Sequence, residues 1–108
     1  MFNLFSNETK AYKSLSGKEF KDEYSKSKQP VMIDVRTPAE FASGSIGNAK
    51  NIDVLSLNFK KQLNSLDKGK EYFLFCRSGS RSGQACSIMA AHGFKVYNLK
   101  GGIGAWPE

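Results

Sequence analysis

The sequence predicts an α/β domain with a mainly parallel sheet, and three observations support this prediction. Short apolar runs alternate with segments of helical periodicity from residue 12 onward, the pattern of strands joined by crossover helices. The run Tyr72–Phe75 is continuously apolar, as expected of a central strand covered on both faces. The length of 108 residues suits one domain with a buried core. We expect residues 1–11 to form an N-terminal arm and residues 12–108 to form the domain.

The first half of the domain reads as two capped helices around a buried strand. The segment SGKEFKDEYSKSK (16–28) places Glu19 three residues after Ser16, the spacing of a capping box. The apolar run VMIDV (31–35) predicts a buried strand. A second box in TPAEFAS (37–43), with proline at the first helical position, predicts a short helix.

The second half continues the alternation. Turn residues in GSIGNAKNI (44–52) lead into a brief strand, and LSLNFKKQLNSL (55–66) has leucines at loosely helical spacing. SGQACSIMAAHG (82–93) predicts a helix that ends at a left-handed glycine cap. KVYNL (95–99) predicts a further strand, and GGIGAW (101–106) a closing loop or helical turn.

The stretch CRSGSRS (76–82) is the candidate active site. Cys76 directly follows the predicted central strand and precedes a predicted helix. Ligands of open α/β sheets bind at the carboxyl ends of the strands, so the thiol is expected at a binding edge. A free cysteine alone is more often a small buried core residue, and the flanking residues reverse that interpretation for Cys76.

The residues around Cys76 are suited to stabilising a thiolate. An ordinary thiol has a pKa of ~8.5, and lowering it by ~2 units requires ~2.7 kcal/mol of preferential stabilisation of the anion. A helix N-terminus supplies at most ~2 kcal/mol, so further donors are needed. Backbone N–H groups of a curled loop at Gly79 can add the remainder. Arg77 and Arg81 offer planar donor forks for an oxyanion.

Other nucleophile arrangements fit less well. His92 is the one histidine of the chain and lies at the far end of the following helix, so a Cys–His pair is not expected. Cys86 is expected to be buried in that helix. Two cysteines cannot form a disulfide framework, and neither CxxC nor histidine-rich spacing indicates a metal site. We therefore predict no metal and no cofactor, and a thiolate that attacks an anionic substrate without a general base.

Three stretches resemble the single-domain rhodaneses, a family of sulfurtransferases. IDVRTPAEFASGSIGNAKNI (33–52) is similar to the family's first signature, FLFCRSGSRS (73–82) to its active-site loop, and GFKVYNLKGGIGAW (93–106) to its closing segment. The resemblance covers nearly the whole chain from about residue 12. It implies a five-stranded, mainly parallel sheet with helices on both faces.

The resemblance also implies an activity. Cys76 would attack the outer sulfur of thiosulfate, sulfite would leave, and the persulfide would pass its sulfur to cyanide or a thiol, including that of a thioredoxin-like protein. The substrate-binding residues it implies are those of the loop, namely Arg77, Ser78, Gly79, Ser80, Arg81 and Ser82. Ser82 is interpreted equally as a helix cap and as a donor to the thiolate.

Asp34 and Arg36 match the family's DVR element, and we expect them to brace the strand ends and to act on the active site indirectly. An ion pair between Arg36 and Glu40 is also expected. One departure from the family is GSIGNA, where GHIPGA is usual, so that Ser45 replaces histidine. The departure lies in a turn rather than in the reactive loop.

Two alternatives remain beside the enzyme. The first is a carrier module of the same fold that passes persulfide sulfur between proteins. The second is a phosphatase or arsenate reductase on the related scaffold, in which five residues separate cysteine from arginine. Here four residues separate Cys76 from Arg81, the tighter spacing of the sulfurtransferases.

Charge and composition narrow the partners. The net charge of +6 favours anionic partners by long-range attraction, but the lysines are scattered rather than arranged in a stripe, so nucleic acid is not expected. No apolar window approaches a membrane span, and the N-terminus lacks a basic leader with a continuous apolar stretch. We therefore predict a reduced, cytoplasmic protein without a membrane partner.

Overall fold

The structure is a computed structural model, and it describes residues 12–107. The predicted arm, residues 1–11, lies outside the described residues. In chain order the elements are β1 (Lys13–Leu15), α1 (Gly17–Lys26), β2 (Pro30–Asp34), α2 (Pro38–Ala42), β3 (Lys50–Asn51), α3 (Phe59–Leu63), β4 (Glu71–Phe75), α4 (Ser80–Ala91), β5 (Lys95–Leu99) and a 3₁₀ turn (Ile103–Ala105).

The described strands form one five-stranded sheet in the order β1-β5-β4-β2-β3. Every strand pair within residues 12–107 is parallel, and β4 is the central strand. The predicted fold class is therefore confirmed. Because all strands run the same way, their carboxyl ends meet at one edge of the sheet, where Cys76 follows β4.

The alternation of side chains along the strands creates two cores, one on each face. On one face the even-numbered residues of β4 pack against α3 and α4; on the other, Phe73 and Phe75 pack against α1 and the 3₁₀ turn. Phe73 stacks on Tyr97 with ring centroids 4.7 Å apart and meets Phe20 edge-on at 5.5 Å. Helices thus cover both faces of the sheet, which explains why β4 is apolar without interruption.

Both predicted capping boxes are present. Ser16 accepts from the Glu19 backbone N–H at 3.3 Å, and Glu19 accepts from the Ser16 N–H at 3.1 Å. Thr37 and Glu40 repeat this exchange at 3.3 and 3.1 Å. The second box matters for the site, because it fixes the carboxylate of Glu40 at the start of α2.

Two elements differ from their predictions. β1 was not predicted, because it has only three residues and two of them are exposed, so its sequence carries no apolar run. α3 is shorter than the predicted helix over 55–66, because the segment before it forms a turn that a side-chain hydrogen bond stabilises. Asp53 Oδ1 accepts from the Leu55 N–H at 2.9 Å, and Leu55 and Leu57 are 62% and 106% exposed.

Asp34 and Arg36 form a buried ion pair at the end of β2. Arg36 Nη2 donates to Asp34 Oδ2 at 2.7 Å and to the Gly44 carbonyl at 2.7 Å. Ser45 Oγ donates to Asp34 Oδ2 at 2.8 Å, so the serine that departs from the family pattern holds the turn to β2. The expected pairing of Arg36 with Glu40 is wrong, because Asp34 occupies the guanidinium of Arg36.

The buried pair also stabilises the charged form of Arg36. The hydrogen bonds that Arg36 donates to Asp34 raise the pKa of Arg36 and outweigh burial, which acts in the opposite direction. The guanidinium carbon of Arg36 lies 5.9 Å from the ring centroid of Phe75, the residue before Cys76. The predicted bracing role of the pair fits this placement.

None of the helices described in residues 12–107 is long and apolar enough to cross a membrane.

We predict that Asp34→Ala lowers the free energy of unfolding by about 3–5 kcal/mol, because it leaves the Arg36 charge buried and unpaired. Urea denaturation measures the loss. The matched control is Asp22→Ala on α1, whose ion pair with Lys18 is exposed on both sides, and it should cost less than about 0.5 kcal/mol. Similar losses in the two variants would contradict the role given to the buried pair.

Candidate active site

Cys76 lies at the carboxyl end of the central strand and has 0% of its surface exposed. Its side chain faces the α3 and α4 side of the sheet. Its carbonyl accepts from the Ile103 N–H at 2.8 Å, which ties the start of the loop to the closing segment of the chain. The predicted placement of Cys76 at the end of a central strand and before a helix is confirmed.

Three hydrogen-bond donors converge on the Cys76 sulfur. The Gly79 N–H lies 3.1 Å from Sγ, the Ser82 N–H 3.3 Å and the Ser82 hydroxyl 3.4 Å. Gly79 has φ +100°, the left-handed conformation that turns the loop back toward the sulfur. The Ser82 N–H belongs to the first turn of α4, whose N–H groups lack partners within the helix.

These donors set the direction in which the thiol titrates. Burial alone would raise the pKa of Cys76, because it disfavours the charged form. Hydrogen bonds from the Ser82 side chain and from the backbone of Ser82, Gly79 and Ser78 outweigh burial, and the pKa of Cys76 is lowered. The site therefore favours a thiolate in a place that is closed to bulk water.

Ser82 is a donor to the sulfur rather than the helix cap. Gly79 occupies the cap position of α4, and no side chain there makes a capping hydrogen bond. Ser82 lies inside the first turn and is buried. Of the two interpretations of Ser82, the structure contradicts the cap and shows the geometry of the donor.

Arg81 is held by a carboxylate. Its Nη1 and Nη2 donate to Glu40 Oε1 and Oε2 at 2.8 and 3.1 Å, a two-pronged pair between α4 and α2. The hydrogen bonds from Arg81, and then those from Thr37, lower the pKa of Glu40 to about 2. Glu40 is thus the partner of Arg81. The capping box of α2 fixes the position of Glu40, and Glu40 in turn holds Arg81 at the start of α4.

The remaining predicted loop residues face outward. Arg77, Ser78 and Ser80 are exposed, and within residues 12–107 no ion pair holds the Arg77 guanidinium. Residues 76–82 thus form a short turn and the first residues of α4, in which Gly79 and Ser82 contact Sγ and the Arg77 side chain is exposed to solutes. Their roles in substrate binding stay a prediction.

Two residues beside the loop carried no sequence signal of a functional role. Gly102 has φ +77°, and a Cβ on it would lie 2.0 Å from the Arg77 carbonyl oxygen. The Gly101-Gly102 pair was assigned only to a closing segment. Asn98 of β5 is buried and lies against Ser82 and Gly79. Nothing in KVYNL marks its asparagine as facing the reactive helix rather than solvent.

Cys86 behaves as expected of a buried core thiol. It has 0% of its surface exposed, and burial raises its pKa, with the nearby Cys76 acting in the same direction. It therefore stays a neutral thiol beneath the loop.

Fold and site together define a class: a parallel α/β domain that holds a cysteine sulfur among hydrogen-bond donors at the end of its central strand. A family model, described as a rhodanese-like domain, matches residues 16–108. The chain belongs to this rhodanese-like domain family.

Individual proteins are also similar to this chain. YtwF of Bacillus subtilis is 36% identical over 94 residues, which are 87% of this chain and 89% of that protein. A protein named sulfurtransferase from Allochromatium vinosum is 38% identical over 77 residues, 70% of each chain. The crystal structure of a rhodanese-like domain protein from Staphylococcus aureus superposes with a TM-score of 0.76 at 35% identity, covering 89% of this chain and 92% of that one. Sulfur transfer is the general chemistry that these relatives support.

We predict that Gly102→Ala lowers the free energy of unfolding by about 2–4 kcal/mol, because its Cβ would overlap the Arg77 carbonyl in a left-handed conformation. Urea denaturation measures the effect. Gly104→Ala is the matched control, since no atom lies within 4 Å of a Cβ there, and its stability should stay near that of the unaltered protein. If both variants are equally stable, the close approach of Gly102 to the loop is not real.

A second prediction concerns the pH dependence of stability. The pKa of Glu40 falls from 4.5 to about 2 on folding, so its ionised form stabilises the fold above about pH 4.5, and this contribution is lost as the pH falls toward 2. Glu40→Gln should therefore be less stable than the unaltered protein at neutral pH, and the gap should narrow between pH 4.5 and 2. Urea denaturation across this range tests it. A gap that stays constant with pH would refute the pairing with Arg81.

Proposed function

We propose that the protein is a sulfurtransferase that moves sulfane sulfur from thiosulfate, or a similar anionic sulfur donor, to a thiol or cyanide through a persulfide on Cys76. The observation that carries this proposal is the convergence of three hydrogen-bond donors on a buried sulfur whose pKa is lowered. These donors favour the ionised form of the thiol, which is the nucleophile, so the proposed reaction uses no partner base. His92, the single histidine of the sequence, caps the far end of α4.

The proposed reaction has two balanced steps. In the first step the Cys76 thiolate attacks the outer sulfur of thiosulfate, a bond forms between the two sulfurs, and sulfite leaves with the electron pair of the broken S–S bond. In the second step a thiolate or cyanide attacks the outer sulfur of the persulfide, and Cys76 Sγ leaves with the electron pair. Neither step requires an external oxidant, a cofactor or a proton from the protein.

The loop offers distinct roles to its two arginines. Arg77 is exposed and without an ion pair in the described residues, so it can meet an anionic sulfur donor as it arrives. Arg81 is held in a fixed position by its hydrogen bonds to Glu40. It is close enough to Cys76 for the charge of the thiolate to raise the pKa of Arg81. Because Cys76 itself has no exposed surface, the donor's outer sulfur must displace part of the exposed loop to reach Sγ.

The carrier module is the second candidate, and one observation favours it. Leu55 and Leu57 are the large apolar side chains exposed in the described residues, at 62% and 106%, and they follow β3 at the same sheet edge as Cys76. A protein that delivers or receives sulfur could cover them. The phosphatase alternative has weaker support, because the family match and the four-residue spacing to Arg81 both favour sulfur.

The test is intact-mass measurement after incubation with thiosulfate. The unaltered protein and Cys86→Ser should each gain one sulfur atom, and cyanide should remove it as thiocyanate. Cys76→Ser should gain none. Sulfur uptake by Cys76→Ser, or no uptake by the unaltered protein, would contradict the proposal. Rapid turnover with cyanide favours the enzyme, whereas loading with slow turnover and fast transfer to a protein thiol favours the carrier.

The same measurement distinguishes the role of the arginines in binding the sulfur donor from the role of Cys76 as the nucleophile. Arg77→Ala and Arg81→Ala should load sulfur more slowly from thiosulfate than from an organic hydropersulfide, which gives its outer sulfur to Cys76 and leaves as a thiolate, because only thiosulfate carries an oxyanion group for the cationic side chains. Lys18→Ala on the exposed face of α1 is the charge-matched control. Equal losses with both sulfur donors would remove the oxyanion role of the arginines.

A further inference from the structure

The side-chain amide of Asn98 has only one orientation that satisfies its neighbours. Asn98 lies on β5 with 5% of its surface exposed. One end of the amide lies 3.3 Å from the Gly79 carbonyl and 3.0 Å from Ser14 Oγ. A carbonyl oxygen can only accept, so the amide nitrogen must be at this end. The amide oxygen, Oδ1, therefore points the other way.

Oδ1 of Asn98 faces the hydroxyl of Ser82 at 2.5 Å. An amide oxygen carries no proton, so this hydrogen bond exists only when the Ser82 hydroxyl donates to Asn98. The same hydroxyl lies 3.4 Å from Cys76 Sγ. One proton thus has two buried acceptors, and it can serve only one of them at a time.

We propose that Asn98 is a positioning residue that competes with Cys76 Sγ for the single hydroxyl proton of Ser82. This inference rests on the proposed function, in which Sγ alternates between an anionic and an uncharged state. In the uncharged thiol, the Ser82 hydroxyl donates to Asn98 Oδ1, and the thiol S–H can donate to Ser82 Oγ. In the thiolate, the hydroxyl turns toward the sulfur, and the Asn98 oxygen loses its buried partner.

The competition acts at each step of the proposed reaction. When Sγ attacks the outer sulfur of the donor, its electron pair forms the new S–S bond and sulfite leaves with the electron pair of the broken bond. The outer sulfur carries the charge of the persulfide, and Sγ becomes a neutral bridging atom. The Ser82 hydroxyl then donates to Asn98 Oδ1 again. Asn98 thus favours the states in which Sγ is uncharged, including the loaded persulfide. It also keeps the thiolate a stronger nucleophile, because nucleophilicity rises with the pKa of the thiol.

Other charged and titratable groups around Cys76 come from elements other than β5. Arg77 follows it in the loop, and Arg81 and Cys86 come from α4, with Arg81 bound to Glu40 of α2. Tyr12 lies beside Gly83 of α4, where a Cβ would come 3.6 Å from its hydroxyl. A substitution at residue 98 also removes the hydrogen bond to the Gly79 carbonyl, so a double variant with Ser82 is needed to isolate the effect of the Ser82 proton.

The test is a pH titration of thiolate ultraviolet absorbance, with Cys76→Ser as the blank for other groups. Asn98→Leu removes the competing acceptor and should lower the pKa of Cys76 by about one pH unit. At any given pH, the ratio of thiolate to thiol should then be about tenfold higher. Ser82→Ala should raise the pKa. The double variant should not fall below Ser82→Ala alone, because the lowering of the pKa needs the Ser82 hydroxyl, whereas the lost hydrogen bond to the Gly79 carbonyl removes support from a donor to the sulfur. A pKa that rises in Asn98→Leu, or falls in the double variant relative to Ser82→Ala, would overturn the proposal.

Two controls keep the result interpretable. Ser14→Ala should leave the pKa unchanged, since the Gly79 carbonyl still orients the amide. Asn98→Asp keeps the size and the acceptor and should give a pKa no lower than that of the unaltered protein, so it decides the question if Asn98→Leu fails to fold; a lower value overturns the competition. No sulfur donor enters the titration. Failure to form a persulfide therefore refutes the proposed function alone, and a contrary titration refutes the competition alone.

Discussion

Burial of the Cys76 sulfur penalises its anion, and the structure around β4 offsets that penalty with oriented N–H and O–H groups. Two backbone N–H groups and one hydroxyl lie 3.1–3.4 Å from Sγ. They can converge only because Gly79 adopts φ +100° and because α4 begins directly after it. The closing segment lies against the same loop, with the Gly102 backbone at a distance that admits no side chain. The loop is therefore shaped from both of its sides.

Two carboxylates extend this arrangement to the neighbouring strand. Asp34 binds the buried Arg36 and the turn at Ser45, and Glu40 binds Arg81 on the reactive helix. Asp34 ends β2 and Glu40 lies in α2, which follows it, so one stretch of chain holds a turn through one ion pair and the active-site helix through the other. Arg77 is left as the cation of the loop with no ion pair in residues 12–107. This division separates the charge that shapes the site from the charge that can meet an anionic substrate.

Much of this could be predicted from the sequence, because local patterns determine it. The strand at 95–99, both capping boxes and the place of Cys76 follow from apolar runs, cap spacing and the order of elements. Other features depend on residues distant in sequence and had no local signal. β1 is too short to show a pattern, and Arg36 was paired with the wrong acid because Glu40 and Arg81, 41 positions apart, meet only after folding. The role of Asn98 likewise depends on which face of β5 meets α4.

Hydrogen bonds to the Cys76 sulfur outweigh burial and favour its thiolate. A pH titration of thiolate absorbance in the unaltered protein tests this balance, corrected with Cys76→Ser and compared with a small free thiol in the same buffer. Cys76 should ionise at a lower pH than the free thiol, because the donors outweigh burial. Ionisation at the same or a higher pH would show that burial dominates, and the donors would then not govern the site.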